Sequence, residues 1–183
     1  MRLWNHNATI RAILVFCLMG LFGSAFAPPA WASHRGPVFY VDEANPPQDD
    51  GDGDYHFHSL AAALAQFPSP QEGDTLLLGP GIYEGDFTLS VERLTIKATS
   101  GAEQTTIKGS LSVEVEGVRL SGISVDGTER PFGIRVAADK VTLENLFVFG
   151  AQTGVLFEGA GSLKDIILKA SRIYHNETGV SGA

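Results

Sequence analysis

The chain has 183 residues, of which 44% are apolar, and its 21 acidic and 13 basic residues give a formal net charge of −8. This composition is typical of a globular chain and excludes a disordered tail or a coiled coil. It also argues against nucleic acid as a partner, because neutralising phosphates needs a basic surface and the sequence contains no cluster of Lys and Arg.

The N-terminus has the layout of a secretory signal peptide. Arg2 and Arg11 precede an apolar run over 12–27, and Ala30-Trp-Ala32 then places small residues at the −3 and −1 positions of a cleavage site. The run is shorter than the roughly 20 residues that span a bilayer. We therefore expect residues 1–32 to be removed and the remainder to be secreted or periplasmic, without a membrane span. An uncleaved N-terminal anchor is the alternative.

Residues 33–73 are predicted to form an N-terminal cap. The apolar run 38–41 predicts a short strand, and a loop rich in Asp and Gly follows it. Ser59 is a typical N-cap residue, and the apolar spacing after it predicts a short helix that ends before Pro68. We expect this capping helix to cover the open first coil and to keep its edge from pairing with another chain.

From residue 74 onward, short apolar strands recur mostly at intervals of 21 to 25 residues. Equivalent apolar positions form the columns Ile96, Leu120, Leu143 and Leu168; Phe87, Leu111, Ile134, Val155 and Val180; and Ile107, Val125, Val148 and Ile173. Equivalent strands in stacked hairpins alternate in direction, so this recurrence favours parallel strands. The sequence therefore predicts an all-β fold, a parallel β-helix with three strands per coil and about four to five coils over 74–183. Neighbouring coils stack at roughly 4.8 Å.

Several segments resemble a known family. Residues 38–42, the segment Ser59-Leu-Ala-Ala-Ala, Gly73-Asp-Thr-Leu76 and Pro80-Gly-Ile-Tyr83 resemble the N-terminal cap of right-handed parallel β-helix proteins of the pectin-lyase-like superfamily, and 118–127 resembles its first coils. The resemblance implies a right-handed coil. It says less about activity, because the superfamily includes pectate and alginate lyases, polygalacturonases, pectin esterases, and surface or periplasmic proteins without known catalysis.

The outward positions of the coils show no paired carboxylates. Superfamily enzymes that cleave uronate polymers use outward Asp or Glu clusters, either with calcium and a Lys or Arg base or as acid and base. The outward columns are Thr88, Ser112, Arg135, Leu156 and Ser181; Thr95, Arg119, Thr142 and Ile167; and Lys97, Ser121, Glu144 and Lys169. No catalytic residue is therefore predicted, and we expect a glycan-recognising or structural domain. The alternative is the N-terminal part of a polysaccharide lyase or glycoside hydrolase acting on acidic polysaccharide.

Three arginines are candidate ligand-binding residues. Arg119, Arg130 and Arg135 belong to one predicted coil, and guanidinium groups bind carboxylates through two parallel hydrogen bonds. A polysaccharide that carries uronate carboxylates is the partner this chemistry favours. The alternative is that the three are solvated charges on the outward faces.

An acidic loop is a candidate calcium site. Asp50, Asp52 and Asp54 alternate with glycine, and alternating carboxylates can wrap a hard cation. An EF-hand is excluded, because Tyr55 and Ala61 stand where that loop needs Gly and Glu. A looser calcium site and a plain acidic loop are the two remaining interpretations.

Two histidines before the predicted helix have both a metal-binding and a structural interpretation. His56 and His58 flank Phe57 with the spacing of a metal-binding pair, but no third ligand is near in sequence. We expect Phe57 to pack beneath the helix while both histidines meet solvent.

Asn176 begins an Asn-Glu-Thr glycosylation acceptor, and at a coil corner its amide is expected to bind turn backbone.

The last predicted strand, 178–183, is followed by no polar terminal coil. An open parallel edge recruits strands from another chain. We expect edge-to-edge association at this coil, or further coils beyond residue 183 that would include any catalytic ones.

Overall fold

The computed structural model describes residues 38–42, 55–65, 70–159 and 161–182. The predicted signal peptide at 1–32 and the candidate calcium ligands Asp50, Asp52 and Asp54 lie outside the described residues. Among those that are described, no helix has the length and apolar character needed to cross a membrane.

The described residues form an all-β parallel solenoid of about four turns, with three parallel sheets and almost no helix. Sheet A consists of β1 (Val38–Val41), β2 (Tyr55–Phe57), β3 (Thr75–Leu78), β6 (Thr95–Ala98), β9 (Arg119–Ser121), β12 (Thr142–Glu144) and β15 (Ile167–Lys169). Sheet B consists of β4 (Gly81–Glu84), β7 (Thr105–Lys108), β10 (Ser124–Asp126), β13 (Phe147–Phe149) and β16 (Arg172–Tyr174). Sheet C consists of β5 (Phe87–Leu89), β8 (Leu111–Val113), β11 (Phe132–Val136), β14 (Thr153–Phe157) and β17 (Thr178–Gly182).

The strand register confirms the predicted columns. In sheet A, Ile96 lies opposite Leu120, which lies opposite Leu143, which in turn lies opposite Leu168. The predicted columns of sheets B and C are paired in the same way. The structure also adds Leu76 to the sheet A column, opposite Ile96. The predicted column began at Ile96, and the added step is 20 residues long.

The core lies between the three sheets, where one side chain in two points inward. Leu, Ile and Val fill these inward positions, and most of them in the middle rungs are fully buried. In an isolated rung the strand edges above and below would be exposed to water. The core therefore forms only when successive rungs stack.

Residues in the left-handed conformation turn the chain at the corners. Before the strands of sheet A, this position is occupied in successive rungs by Arg93 (φ 57), Gly117 (φ 79), Lys140 (φ 59) and Asp165 (φ 57). After them it is occupied by Gly122 (φ 67), Asn145 (φ 53) and Ala170 (φ 50). Glycine adopts this conformation without strain, whereas a Cβ makes it costly. The repeat thus imposes the corner conformation on Arg93, Lys140 and Ala170, which do not favour it.

Helix α1 (Leu60–Ala65) follows β2 and begins at the predicted residue. The Ala62 amide donates to Ser59 Oγ at 3.1 Å, which confirms Ser59 as the N-cap. Leu60 and Ala63 face the core and are buried. The extent of the cap as a domain over 33–73 stays a prediction.

The two histidines before α1 differ in environment. His56 is half-buried and stacks on Tyr40 with ring centroids 5.3 Å apart, whereas His58 is exposed. The expectation that both meet solvent therefore holds only for His58. Phe57 is buried, as expected, and stacks on Phe39.

Among the described strands, β15, β16 and β17 each form one edge of their sheet. Their inward side chains are less covered than those of the preceding rung: Leu168 and Ile173 are half-buried and Val180 is 48% exposed. Their partners Leu143, Val148 and Val155 are completely buried. This surface is the place where the predicted edge-to-edge association would occur, and that association stays a prediction.

Candidate functional site

A cleft of about 380 Å³ opens at the corner between sheets B and C. We call it the corner cleft; it is lined by Glu84, Gly85, Lys108, Gly109, Thr128, Glu129 and Arg130. The volume lies within the range typical of small-ligand sites. Two cations and two carboxylates in its wall suit a polar ligand that carries hydroxyl and carboxylate groups.

The strand ends and one long loop build the corner cleft. Glu84 and Lys108 are the last residues of β4 and β7 and lie opposite each other in the register. The loop from 127 to 131 follows β10 and brings Thr128, Glu129 and Arg130 to the same corner. The corresponding segment between β7 and β8 has only the two residues 109 and 110, so the longer loop is an insertion that leaves the strand register unchanged.

Arg130 is tied to the corner by Asp86. Its Nε donates to Asp86 Oδ1 at 2.8 Å, and the backbone N and Oγ of Ser110 donate to the same oxygen, each at 2.9 Å. The hydrogen bond from Arg130 lowers the pKa of Asp86 below its ordinary value. The Asp86 carboxylate in turn raises the pKa of Arg130. Arg130 is therefore a fixed cation at the wall of the cleft.

Glycines form the base of the corner cleft because two rungs approach closely there. A Cβ placed on Gly109 would lie 2.0 Å from the carbonyl oxygen of Gly85, a distance that no side chain can occupy. The Gly85 amide donates to Lys108 O at 3.1 Å, and the Gly109 amide donates to Asp126 O at 2.9 Å. Backbone hydrogen bonds thus fix the geometry of the base.

Arg119 lies in sheet A, away from this corner. Its Nη1 is 3.9 Å from Glu144 Oε1, while Lys169 Nζ is 2.8 Å from Glu144 Oε2. The hydrogen bond from Lys169 lowers the pKa of Glu144, and the charge of Arg119 adds to the effect. One carboxylate here pairs with cations from the rungs on both sides.

Arg135 lies in sheet C, between two carboxylates. Its Nε donates to Glu158 Oε2 at 2.8 Å and its Nη1 donates to Glu114 Oε1 at 3.3 Å. The hydrogen bond to Glu158 is the main cause of the raised pKa of Arg135. The three predicted arginines are thus distributed over sheet A, sheet C and one corner. Only Arg130 lines the corner cleft, and the assignment of all three to ligand binding stays a prediction.

The described residues contain no group of three or more His, Asp or Glu side chains that could hold a metal ion. His56 and His58 therefore gain no third ligand within the described part of the chain. The calcium prediction concerns Asp50, Asp52 and Asp54, which the structure does not describe, and it stays a prediction.

A second cleft, of about 330 Å³, lies at another corner. Its charged lining residues, Glu116 and Asp139, are both acidic. It is therefore less suited than the corner cleft to an acidic ligand.

No protein family matches this chain, and neither a curated protein nor a solved structure matches it. The fold and the geometry of its surface are therefore the basis for any functional argument.

Sequence reasoning missed Glu84, Asp86 and Lys108. A signal for two of them was present, because opposite charges recur at the repeat interval: Glu84 and Lys108 are 24 residues apart, as are Glu116 and Lys140. Asp86 carried no such signal. Its contact with Arg130 skips one rung and depends on the length of the corner loop.

Proposed function

We propose that this chain is an exported glycan-binding domain on a right-handed parallel β-helix of the pectin-lyase-like type, and that acidic polysaccharide binds in the corner cleft. The right-handed coil and the superfamily assignment rest on the sequence resemblance, which agrees with a parallel solenoid of about four turns. The observation that supports binding is the presence of Lys108 and Arg130 in one open cleft.

The chemistry of the cleft suits a uronate chain. The contact between Arg130 and Asp86 uses Nε, one of five N–H donors of the guanidinium group. The terminal nitrogens of such a group form the fork that binds a carboxylate through two hydrogen bonds. Glu84, Glu129 and Thr128 supply acceptors for sugar hydroxyls, while the Thr128 hydroxyl itself donates to Asp126 Oδ1.

The net charge of −8 opposes the approach of a polyanion. Binding in the cleft must therefore come from local contacts with Lys108 and Arg130 rather than from the overall field. We expect the affinity to fall as ionic strength rises, because salt screens exposed charges over about 10 Å at 0.1 M.

The test is calorimetric titration of the full chain with polygalacturonate and with alginate, using Lys108→Ala and Arg130→Ala as variants. Lys140→Ala is a matched control, since Lys140 and Lys108 are 59% and 57% exposed and each pairs with one glutamate. We expect the cleft variants to bind more weakly and the control to bind as the wild type does. Equal loss in all three, or no binding of either polyuronate, would contradict the proposal.

A second candidate function is favoured by one observation: the carboxylates of Glu84 and Glu129 line the same cleft as the two cations. Paired carboxylates and a neighbouring base are what polysaccharide hydrolases and lyases use. Release of shortened or unsaturated oligouronides by the full chain, lost in Glu84→Gln, would support an enzyme. Binding without any product would support the recognition domain alone.

A further inference from the structure

Aromatic side chains occupy the outer face of sheet B beside the last described rung. Phe149 lies opposite Tyr174 in the register, and their rings stack with centroids 5.3 Å apart and planes 24° apart. In the adjacent column, Phe147 lies opposite Arg172, whose guanidinium carbon is 5.3 Å from the centre of the Phe147 ring. We call these four residues the aromatic platform.

The aromatic platform is accessible. The side chain of Tyr174 is 40% exposed, Arg172 is exposed, and Phe147 and Phe149 are half-buried. Exposure of large aromatic rings to water on an outer face is unfavourable, and covering the rings with another group lowers the free energy. An exposed pair of stacked rings is therefore a surface that gains from contact with an apolar group.

Arg172 differs from the three predicted arginines. Arg119, Arg130 and Arg135 each pair with a carboxylate, whereas Arg172 has no ion-pair partner among the described residues. Its contact with Phe147 orients the guanidinium group through a cation–π interaction. Among the described residues its charge is thus uncompensated, so Arg172 can bind an anion from outside.

The aromatic platform continues the column that begins in the corner cleft. Lys108 lies opposite Asp126, Asp126 opposite Phe149, and Phe149 opposite Tyr174. At roughly 4.8 Å per rung, Phe149 lies about 10 Å from Lys108 along the axis of the solenoid. An extended chain lying along sheet B would therefore touch both surfaces.

We infer that the aromatic platform is a second subsite for the glycan of the corner cleft and that it takes a uronate residue. This inference rests on the proposed function. The C–H groups of one face of a pyranose ring carry slight positive charge and pack on the negative face of an aromatic ring, here that of Tyr174. The carboxylate of the same sugar binds Arg172. A neutral sugar would contact the ring of Tyr174 but would not pair with Arg172. We therefore assign an acidic sugar to this subsite.

The backbone around Tyr174 is held in place by a neighbouring side chain. Asn176 Nδ2 donates to the carbonyl oxygen of Tyr174 at 3.0 Å and to that of Val148 at 3.1 Å. Preorganisation of this kind lowers the cost of binding a rigid ligand.

The test compares Tyr174→Leu, Tyr174→Phe and Arg172→Gln in the full chain by titration with polygalacturonate and with its methyl ester, which lacks the charge. Ile82→Ala is the control, because Ile82 is a 58% exposed apolar residue at the other end of sheet B. We expect Tyr174→Leu and Arg172→Gln to weaken polygalacturonate binding about five- to tenfold. Tyr174→Phe and Ile82→Ala keep the wild-type affinity, and Arg172→Gln has no effect on the methyl ester.

The outcomes separate this inference from the proposed function. Wild-type affinity in Tyr174→Leu and Arg172→Gln, together with weaker binding by Lys108→Ala, overturns the platform and leaves the proposed function standing. Weaker binding by the platform variants alone supports glycan binding at the platform and overturns the corner cleft as the first subsite. The absence of any binding to the wild-type chain overturns both. Circular dichroism of each variant confirms that the fold is retained.

Discussion

Arg130 and Asp86 are joined by a 2.8 Å hydrogen bond although 44 residues separate them in the sequence. The two residues belong to corners that lie two rungs apart, and Ser110 of the intervening rung donates to the same carboxylate. The exposed carboxylate of Asp86 thus accepts hydrogen bonds from groups in two other rungs. This arrangement fixes the corner loop that brings Thr128, Glu129 and Arg130 to the corner cleft.

Replacement of Asp86 by Asn is expected to change how stability depends on pH. The hydrogen bond from Arg130 lowers the pKa of Asp86 in the folded chain, below the value of about 3.9 for an unfolded aspartate. The ionised group therefore stabilises the fold fully above about pH 5, and this stabilisation is lost as the pH falls through the lower folded value. The contribution is small, because the Asp86 side chain is 54% exposed and solvent screens the pair.

Thermal unfolding of the wild type and Asp86→Asn between about pH 2 and pH 7 measures this effect. The difference in Tm should be constant in the upper part of the range and shrink towards acid. Thr88→Ala, which changes an exposed side chain that does not titrate, should show no such trend. A difference for Asp86→Asn that is independent of pH would contradict the prediction.

Replacement of Asn176 by Ala is expected to destabilise the last described rungs. The Asn176 side chain accepts from the Ala151 amide at 3.0 Å and donates to Val148 O and Tyr174 O. Loss of these bonds leaves partly buried backbone groups unsatisfied, at about 1–3 kcal/mol. Denaturant unfolding measures the loss, with the exposed neighbour Glu177→Ala as a control near zero. A loss in Asn176→Ala no larger than in the control would argue against the corner role.

The column positions could be predicted from the sequence because each depends on one local property, the alternation of apolar and polar residues at a fixed repeat. Leu120 and Leu143 illustrate this: each has the same environment as its partner one rung away. The N-cap Ser59 and the backbone hydrogen bonds of Asn176 were predictable for a similar reason, since both are local motifs.

The candidate site could be predicted only in part. Arg130 was identified by its chemistry, but its partner Asp86 depends on how far a corner loop folds back. The stacking of Phe149 on Tyr174 was also missed. Apolar periodicity assigns aromatic residues to the core, whereas here they occupy the outward positions that flank Val148 and Ile173. Side-chain direction and loop path, rather than residue type, decided these positions.

Replacement of Ala170 by Gly is expected to stabilise the fold. Ala170 has a φ of 50 and is exposed, and Gly122 holds the equivalent corner two rungs earlier. Relief of the left-handed strain outweighs the added flexibility of the unfolded chain, so we expect a gain of about 0.5–1 kcal/mol. Ala170→Val, with a β-branched side chain, should lower the free energy of unfolding by more than that. Denaturant unfolding of both variants checks the signs, and a loss in Ala170→Gly would contradict the prediction.

Replacement of Gly109 by Ala is expected to distort the base of the corner cleft. A Cβ at this position would lie 2.0 Å from Gly85 O and 3.0 Å from Asp86 Oδ1, and the φ of 145 is itself unfavourable for a side chain. The nearest atom is backbone of the adjacent rung and cannot rotate away, so the rungs must separate. We expect a loss of about 2–4 kcal/mol in denaturant unfolding and weaker binding of polygalacturonate at the cleft. Gly161→Ala is the control: nothing lies within 4 Å of its added Cβ, and its stability should be unchanged or slightly higher. If Gly109→Ala matches this control in both measurements, the close approach of the two rungs does not exist in solution.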